Sequence, residues 1–395
     1  MNYFGTVTFY FLQAFVESDK SKIESLSLFT KEEAIRNDKD LIVLRENEAT
    51  DAKYGSSPEE RPLKDYVKYG FIALDKPQGP TSHEVVAWVR KIFETSRSGH
   101  SGTLDPMVSG VLPVGLESAT KALSALLLGP KEYVAIARIH DSVPQQMINN
   151  VLSNFLGPIY QKPPQRSSVK RVTRSREIYE TDLLEQNGNL LLLRILCEAG
   201  TYIRKLIYDY GEILKVGATM AELRRTRVCH IGESDLVRLH DLYEAKSEYD
   251  ESGNEEKIRK YVRPIDRELG FLKQICIRDS AVESICNGAQ LAVPGIVSFS
   301  SKIQKGELVR IVSLKGELVS LAETAMSGEE ITSAQHGLAA ITRRVVMDSG
   351  TYPRMWKKSE TNVTQEVSEI MLKRAMLQRL GVEQELPEED HEGKR

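Results

Sequence analysis

The stretch GHSGTLDPMVSG, residues 99–110, is the feature that most constrains how this chain folds. Gly99, Gly102 and Gly110 permit sharp bends and close approach of a ligand. Pro106 disfavours the α region for the residue before it, so Asp105 is expected to be extended. Regular structure is signalled on both sides. Val67 to Leu74 reads as a strand that stops at Asp75-Lys76-Pro77. Thr81 and Glu84 have capping-box spacing, and Val85, Val89 and Ile92 follow at helical spacing. Val111 to Leu116 reads as a short strand.

Beyond the loop the elements continue in irregular order. Ala119 to Leu128 predicts a helix ended by Gly129-Pro130. Lys131 to His140 is β-like and residues 145–156 are helical. Leu190 to Cys197 reads as a buried strand and Ile203 to Leu214 as an amphipathic helix. Such an order indicates α+β architecture rather than a regular βαβ series. Residues 16–66 form a polar extension with little core of its own, and 243–260 a charged boundary. From about 270 to 348 the texture is β-rich, with a hairpin folded at Lys315-Gly316 between Gly306–Leu314 and Glu317–Ala322. Thr361 to Leu380 reads as a helix, followed by an acidic tail expected to be disordered. The expected divisions are therefore an extension at 1–66, a catalytic domain at 67–262, a small β-rich domain at 263–348, and a helix and tail at 349–395.

The 395 residues are 41% hydrophobic and 28% charged, the balance of a folded soluble chain. The apolar N-terminus is too short to cross a bilayer and no run of 18 apolar residues follows, so no membrane role is expected. Four cysteines without a CxxC pair fit neither a zinc site nor a disulfide scaffold. The histidines lack HxxxH spacing, so no metal is expected. A net charge of −3 argues against a nucleic-acid binder. The distribution argues the other way. Residues 162–176 carry six cations and no acid, interleaved with hydroxyls, which suits phosphate contacts. Arg224, Arg225 and Arg227 form a second basic cluster. Arg343, Arg344, Arg354, Lys357 and Lys358 form a third, with Tyr352 and Trp356 among them.

Taken singly, the chemically suggestive residues have ordinary readings. Asp-Pro is common in turns, and from its own segment Asp105 is a turn residue before it is a catalyst. Arg204, in CEAGTYIR (197–204), would keep a carboxylate ionised and oriented if placed against one; alone it is a surface arginine on a first helical turn. Tyr133 on a strand is either core or a stacking partner for a base.

Together and in order, these segments resemble a known family. GFIALDKPQGPTS (70–82), GHSGTLDP (99–106), KEY (131–133) and AGTYIR (199–204) follow the sequence of motifs in TruB-type pseudouridine synthases. SHEVVAW (82–88), KPP (162–164), SVKR (168–171), RSREIY (174–179) and CEAGTY (197–202) are similar to the dyskerin branch, the synthases of H/ACA guide-RNA particles. The resemblance spans roughly residues 54–358. It implies a mixed-sheet catalytic domain and a C-terminal domain of PUA type, with the N-terminal extension packing on the latter. It implies that Asp105 is the catalytic aspartate, that Arg204 pairs with it, and that Tyr133 stacks near the uracil and handles the proton at carbon 5. His100 would lie beside the flipped nucleotide, with Tyr202, Lys170 and Arg171 also binding substrate. Lys162, Arg166, Arg174, Arg343 and Arg344 would contact RNA. Lys76 and Pro77 would pack under the site rather than take part in chemistry. No metal or cofactor is implied, because the isomerisation oxidises nothing.

The resemblance further implies guide-RNA-directed modification of rRNA, in support of ribosome biogenesis, in the nucleus and nucleolus. The expected partners are H/ACA guide RNA, substrate rRNA, a Gly/Arg-type β-barrel protein, a very small strand-like protein and a kink-turn-binding protein. Dyskerin-like proteins of fungi and animals often carry a Lys-rich tail, whereas this sequence ends in Pro387 to Arg395. Two other readings compete: a stand-alone tRNA pseudouridine synthase, and a non-catalytic scaffold for H/ACA RNAs. The dyskerin-like segments argue against the first, and an intact Asp105, Tyr133 and Arg204 against the second.

Overall fold

The structure is a computed structural model, and it describes residues 40–162 and 172–354. Strand β1 is Leu41–Val43. Helix α1, Leu63–Lys68, leads directly into β2, Gly70–Lys76. The strand expected from Val67 therefore starts three residues later: Leu63 and Tyr66, one helical turn apart, bury the same face. Helix α2, Ser82–Ile92, opens with the expected capping box between Thr81 and Glu84. Next come β3, Ser98–His100, and β4, Val108–Leu116, with every β4 residue buried. The helix expected at 119–128 is a 3₁₀ turn at Glu117–Lys121 followed by α3, Leu123–Leu127.

Strand β5 is Lys131–Ile139 and helix α4 is Gln145–Asn154. The hairpin arms β6 and β7 are Gly157–Gln161 and Arg174–Asn187; β8 is Leu190–Cys197, α5 is Ile203–Ile213 and β9 is Ala218–Val228. The charged stretch expected as a boundary at 243–260 is instead helical. Helices α6, Leu239–Ser252, and α7, Glu256–Tyr261, bury Leu242, Ala245 and Ile258 against β2 and α2. Their charges lie on the outer face, which is why composition alone hides the apolar stripe.

Strand β10, Arg263–Pro264, completes a nine-stranded sheet in the order β10-β2-β4-β9-β5-β8-β7-β6, with β3 also on β4. Within this sheet β4 and β9 pair in parallel and the other described strand pairs are antiparallel, so the sheet is mixed. A second sheet of seven strands follows. It comprises β1, β11 (Gln274–Ile277), β12 (Leu291–Ala292), β13 (Ile296–Ser300), β14 (Leu308–Val312), β15 (Leu318–Thr324) and β16 (Leu338–Val345). The hairpin expected about Lys315-Gly316 is β14–β15. Helix α8, Asp279–Cys286, packs beside this sheet.

Three of the described N-terminal residues, Leu41–Val43, belong to this second sheet. Leu41, Ile42 and Val43 pair with Ser300, Phe299 and Ser298 of β13. The two sheets also share one apolar cluster: Phe71, Ala119 and Ile265 meet Leu318, Leu321 and Val346. Across the same junction Arg61 makes a two-point buried ion pair with Asp266, at 2.7 and 2.9 Å, and Asp266 also accepts from the Leu318 amide. Both side chains are at most 5% exposed. Removing Arg61 would strand a buried carboxylate, which typically costs about 3–5 kcal/mol. Arg61→Ala is thus expected to lower the thermal unfolding midpoint sharply. A midpoint unchanged within a degree would show that Asp266 finds water without its partner.

Candidate active site

The loop between β3 and β4 is anchored on both sides of Asp105. On the near side, the buried Ser82 hydroxyl donates to the Leu104 carbonyl and accepts from the Leu104 amide, both at 2.9 Å. On the far side, the Val108 amide donates to the Asp105 carbonyl at 3.0 Å, closing a turn with Pro106 in its second position. Beneath that turn lies Lys76, a fully buried side chain. Its Nζ donates to the carbonyls of Pro77, Pro106 and Val108 at 2.8, 3.2 and 2.9 Å. Burial pushes the Lys76 ammonium below its usual range, and the charge of Asp105 opposes that shift. Lys76 therefore works from below, as a support for the backbone that presents Asp105. The Asp105 carboxylate itself is 63% exposed.

Arg204 reaches this carboxylate from 99 residues away, with Nη2 at 3.2 Å from Oδ2. Local chemistry explains its placement. Strand β8 ends in a turn from Glu198 to Thr201, with Gly200 at φ +83°. A left-handed residue is required there, and glycine adopts it without strain. Tyr202 then caps α5, and the buried Gln161 side chain grips both polar groups of its backbone: Oε1 accepts from the Tyr202 amide and Nε2 donates to its carbonyl. Arg204 sits on the first turn of the helix so fixed.

Tyr133 and Arg225 are directly opposed on β5 and β9, so their side chains leave the sheet on the same face. The Arg225 guanidinium and the Tyr133 phenol are therefore cross-strand neighbours. Burial pushes the Tyr133 phenol up, and the adjacent Arg225 charge pulls the other way. Arg225 is itself 1% exposed. Its Nε donates to the Val111 carbonyl and its Nη2 to the Gly102 carbonyl, each at 2.8 Å. Close by, the His100 ring stands edge-on to His83 at 5.0 Å between centroids. Burial, with the charges of His83 and Arg225, lowers its pKa to about 4, so the imidazole is neutral at pH 7. Its Nδ1 and the Ser101 hydroxyl are buried without a hydrogen-bond partner among the described residues.

The basic clusters fare differently. Lys162 and Arg174 are exposed at the two described ends of the β6–β7 connection; Arg166, Lys170 and Arg171 lie outside the described residues. The second cluster is not a surface patch. Arg224 is paired with Asp75 and Glu233, Arg225 is interior, and Arg227 is paired with the buried Glu132. Strand burial explains the error, since β9 lies in the middle of the sheet. In the third cluster Arg343 and Arg344 are exposed, and Arg343 is held at 2.6 Å by Glu323. Being adjacent on a strand, they face opposite sides of it. Tyr352 is core, with its hydroxyl donating to the buried Glu317 at 2.6 Å. Trp356, Lys357, Lys358 and the helix expected at 361–380 lie outside the described residues.

Arg225 and Ser82 belong to this site although no local pattern in the sequence marks them for it. In the sequence Arg225 shares its charge with Arg224 and Arg227. Its alternation with Leu223 on one strand face was the available signal.

The chain matches four family models in order. Residues 33–86 match the DKCLD domain, 90–203 the TruB family pseudouridylate synthase N-terminal domain, 204–270 the tRNA pseudouridylate synthase B C-terminal domain, and 273–346 the PUA domain. It is 48% identical to a protein of Methanosarcina barkeri named probable tRNA pseudouridine synthase B, over 82% of this chain and 96% of that one. A relative of the same name from Methanopyrus kandleri is 50% identical, over 81% and 94%. Among solved structures, a Cbf5–Nop10–Gar1 complex matches with 45% identity and a TM-score of 0.75, covering 80% of this chain and 96% of that one. An H/ACA RNP bound to a substrate RNA containing 2′-deoxyuridine matches with 44% identity and a TM-score of 0.74, covering 80% and 97%. With this fold, these domains and these relatives, the chain belongs to the dyskerin family of TruB-type pseudouridine synthases, with a PUA domain at its C-terminal side.

Proposed function

We propose that this pseudouridine synthase is the catalytic subunit of an H/ACA guide-RNA particle, and that Asp105 performs the chemistry on uridines of rRNA. The observation that carries the chemical part is the convergence of Asp105, Arg204 and Tyr133 at one end of the β4–β9–β5 region, from three distant segments. The relatives solved as H/ACA complexes support the guided reading. A second reading, stand-alone action on tRNA, is favoured by the names of the curated relatives.

The geometry suits breaking the bond from ribose to uracil nitrogen and rejoining the base through carbon. One ionised carboxylate is needed, whether it attacks the sugar, attacks the ring or acts as a base. Exposed ion pairs are worth about 0–1 kcal/mol to stability, so the Asp105–Arg204 contact is better explained by orientation than by folding. When RNA covers the site and excludes water, the same pair interacts more strongly. Tyr133 lies on the sheet face behind, where it supports the flipped base and handles the proton at carbon 5. His100, neutral and partly buried, lines the space for the flipped nucleotide without competing for its phosphates. Flipping a base costs a few kcal/mol, which pairing of the flanking RNA to a guide would help to offset.

In this reading the chain works with H/ACA guide RNA, a Gly/Arg-type β-barrel protein, a very small strand-like protein and a kink-turn-binding protein, and it resides in the nucleolus. Purifying the protein from its own cells and sequencing the bound RNA tests this. Hairpins with an ACA box near the 3′ end are expected, and free tRNA would instead establish the stand-alone reading. Asp105→Asn is expected to abolish isomerisation while particle assembly is retained, because the carboxylate is largely exposed and its ion pair with Arg204 is exposed too. Pseudouridine formed by the purified mutant particle would overturn the assignment. Reversing the charge of both Arg343 and Arg344 to Glu is expected to weaken guide-RNA binding and to flatten its salt dependence. An unchanged salt slope would remove these two residues from the RNA interface.

A further inference from the structure

Arg225 occupies an unusual place. It is among the largest fully buried side chains, it stands in the middle of the sheet, and among the described residues no carboxylate holds its charge. Such a cation is costly to bury, and breaking its contacts would be worse. Its partners are all at the active centre. Nε holds the Val111 carbonyl on β4, and Nη2 holds the Gly102 carbonyl in the loop that carries Asp105. Room for this is made by glycine at two positions. A side chain at Gly102 would come within 3.1 Å of Arg225 Nη1, and one at Gly110 within 2.1 Å of the Arg225 carbonyl.

We propose that Arg225 is a positioning residue for catalysis, whose single guanidinium sets the Tyr133 phenol and the Asp105 loop at a fixed separation. A guanidinium has donors and no acceptor. Standing opposite Tyr133 across β5 and β9, it can therefore offer the phenol oxygen donors only. The arginine thus links the strand position facing Tyr133 to the backbone of the loop bearing the carboxylate. Lysine would keep the charge but cannot reach Val111, Gly102 and Tyr133 from fixed, planar directions.

This inference rests on the reading of Tyr133 as a participant in the reaction, and the test separates the two. Arg225→Met, Arg225→Lys, Tyr133→Phe and the double variants would replace the natural chain. Their particles would be purified with bound guide RNA and assayed under single turnover on the RNA complementary to that guide. Arg225→Met is expected to lower the rate at saturating RNA by about a hundredfold, the scale of a misplacement near 1 Å, with RNA affinity changed less than about threefold. Arg225→Lys is expected to recover part of the loss. In the Tyr133→Phe background the Arg225 substitutions are expected to cost much less, because both act through one phenol oxygen. Equal losses in the two backgrounds, or loss of RNA affinity in step with rate, would overturn the proposal in favour of a purely structural role. A Tyr133→Phe particle at the natural rate would overturn the Tyr133 reading and this inference with it. If Arg225→Met fails to assemble, the same cycle run with Arg225→Lys decides the matter.

Discussion

Two buried cations solvated by backbone carbonyls govern the placement of the Asp105 loop. Lys76 lies beneath the turn at Pro106 and Val108, and Arg225 lies against Gly102 and Val111. Water is excluded from both. Leaving such charges without acceptors would cost several kcal/mol each, so the loop carbonyls are held to them. The consequence is a loop whose ends are fixed by electrostatics from inside, although its tip is open to solvent. A less polar interior would leave the same twelve residues free to take other paths.

The reactive groups are arranged the other way. Asp105 and Arg204 are more than half exposed, and their contact adds little to folding. Precision is instead built into what carries them. Ser82 clamps Leu104, Gln161 clamps Tyr202, and Gly200 makes the turn that delivers α5. Rigid supports under exposed side chains suit a polymer substrate, which must enter and leave an open surface.

A second theme is the junction between the sheets. The shared cluster about Phe71 and Leu318, with Arg61 and Asp266 beside it, makes the C-terminal β-rich unit continuous with the catalytic sheet. Residue 41 to residue 43 of the N-terminal segment form an edge strand of that unit. The catalytic strands and the β-rich unit therefore present their surfaces in a set relationship within residues 40–354. RNA held by one would be placed against the other.

Much of this was legible in the residues. The capping box at Thr81, the hairpin at Lys315-Gly316 and the buried strand at 190–197 depend on local spacing, and local spacing is readable. Resemblance to a family supplied the roles expected of Asp105, Tyr133 and Arg204, which no local pattern singled out. Tertiary structure alone decided which charges are surface and which are interior. Arg224, Arg225 and Arg227 look like a basic patch in the sequence because charge is visible there and burial is not. Residues 243–260 look like a charged boundary for the same reason, since their few apolar side chains count only once β2 and α2 are present to cover them. The sequence by itself determined which segments could bend, cap and pair. Only the folded sheet, by setting Tyr133 opposite Arg225 and Arg204 against Asp105 over long chain separations, decided which of them meet.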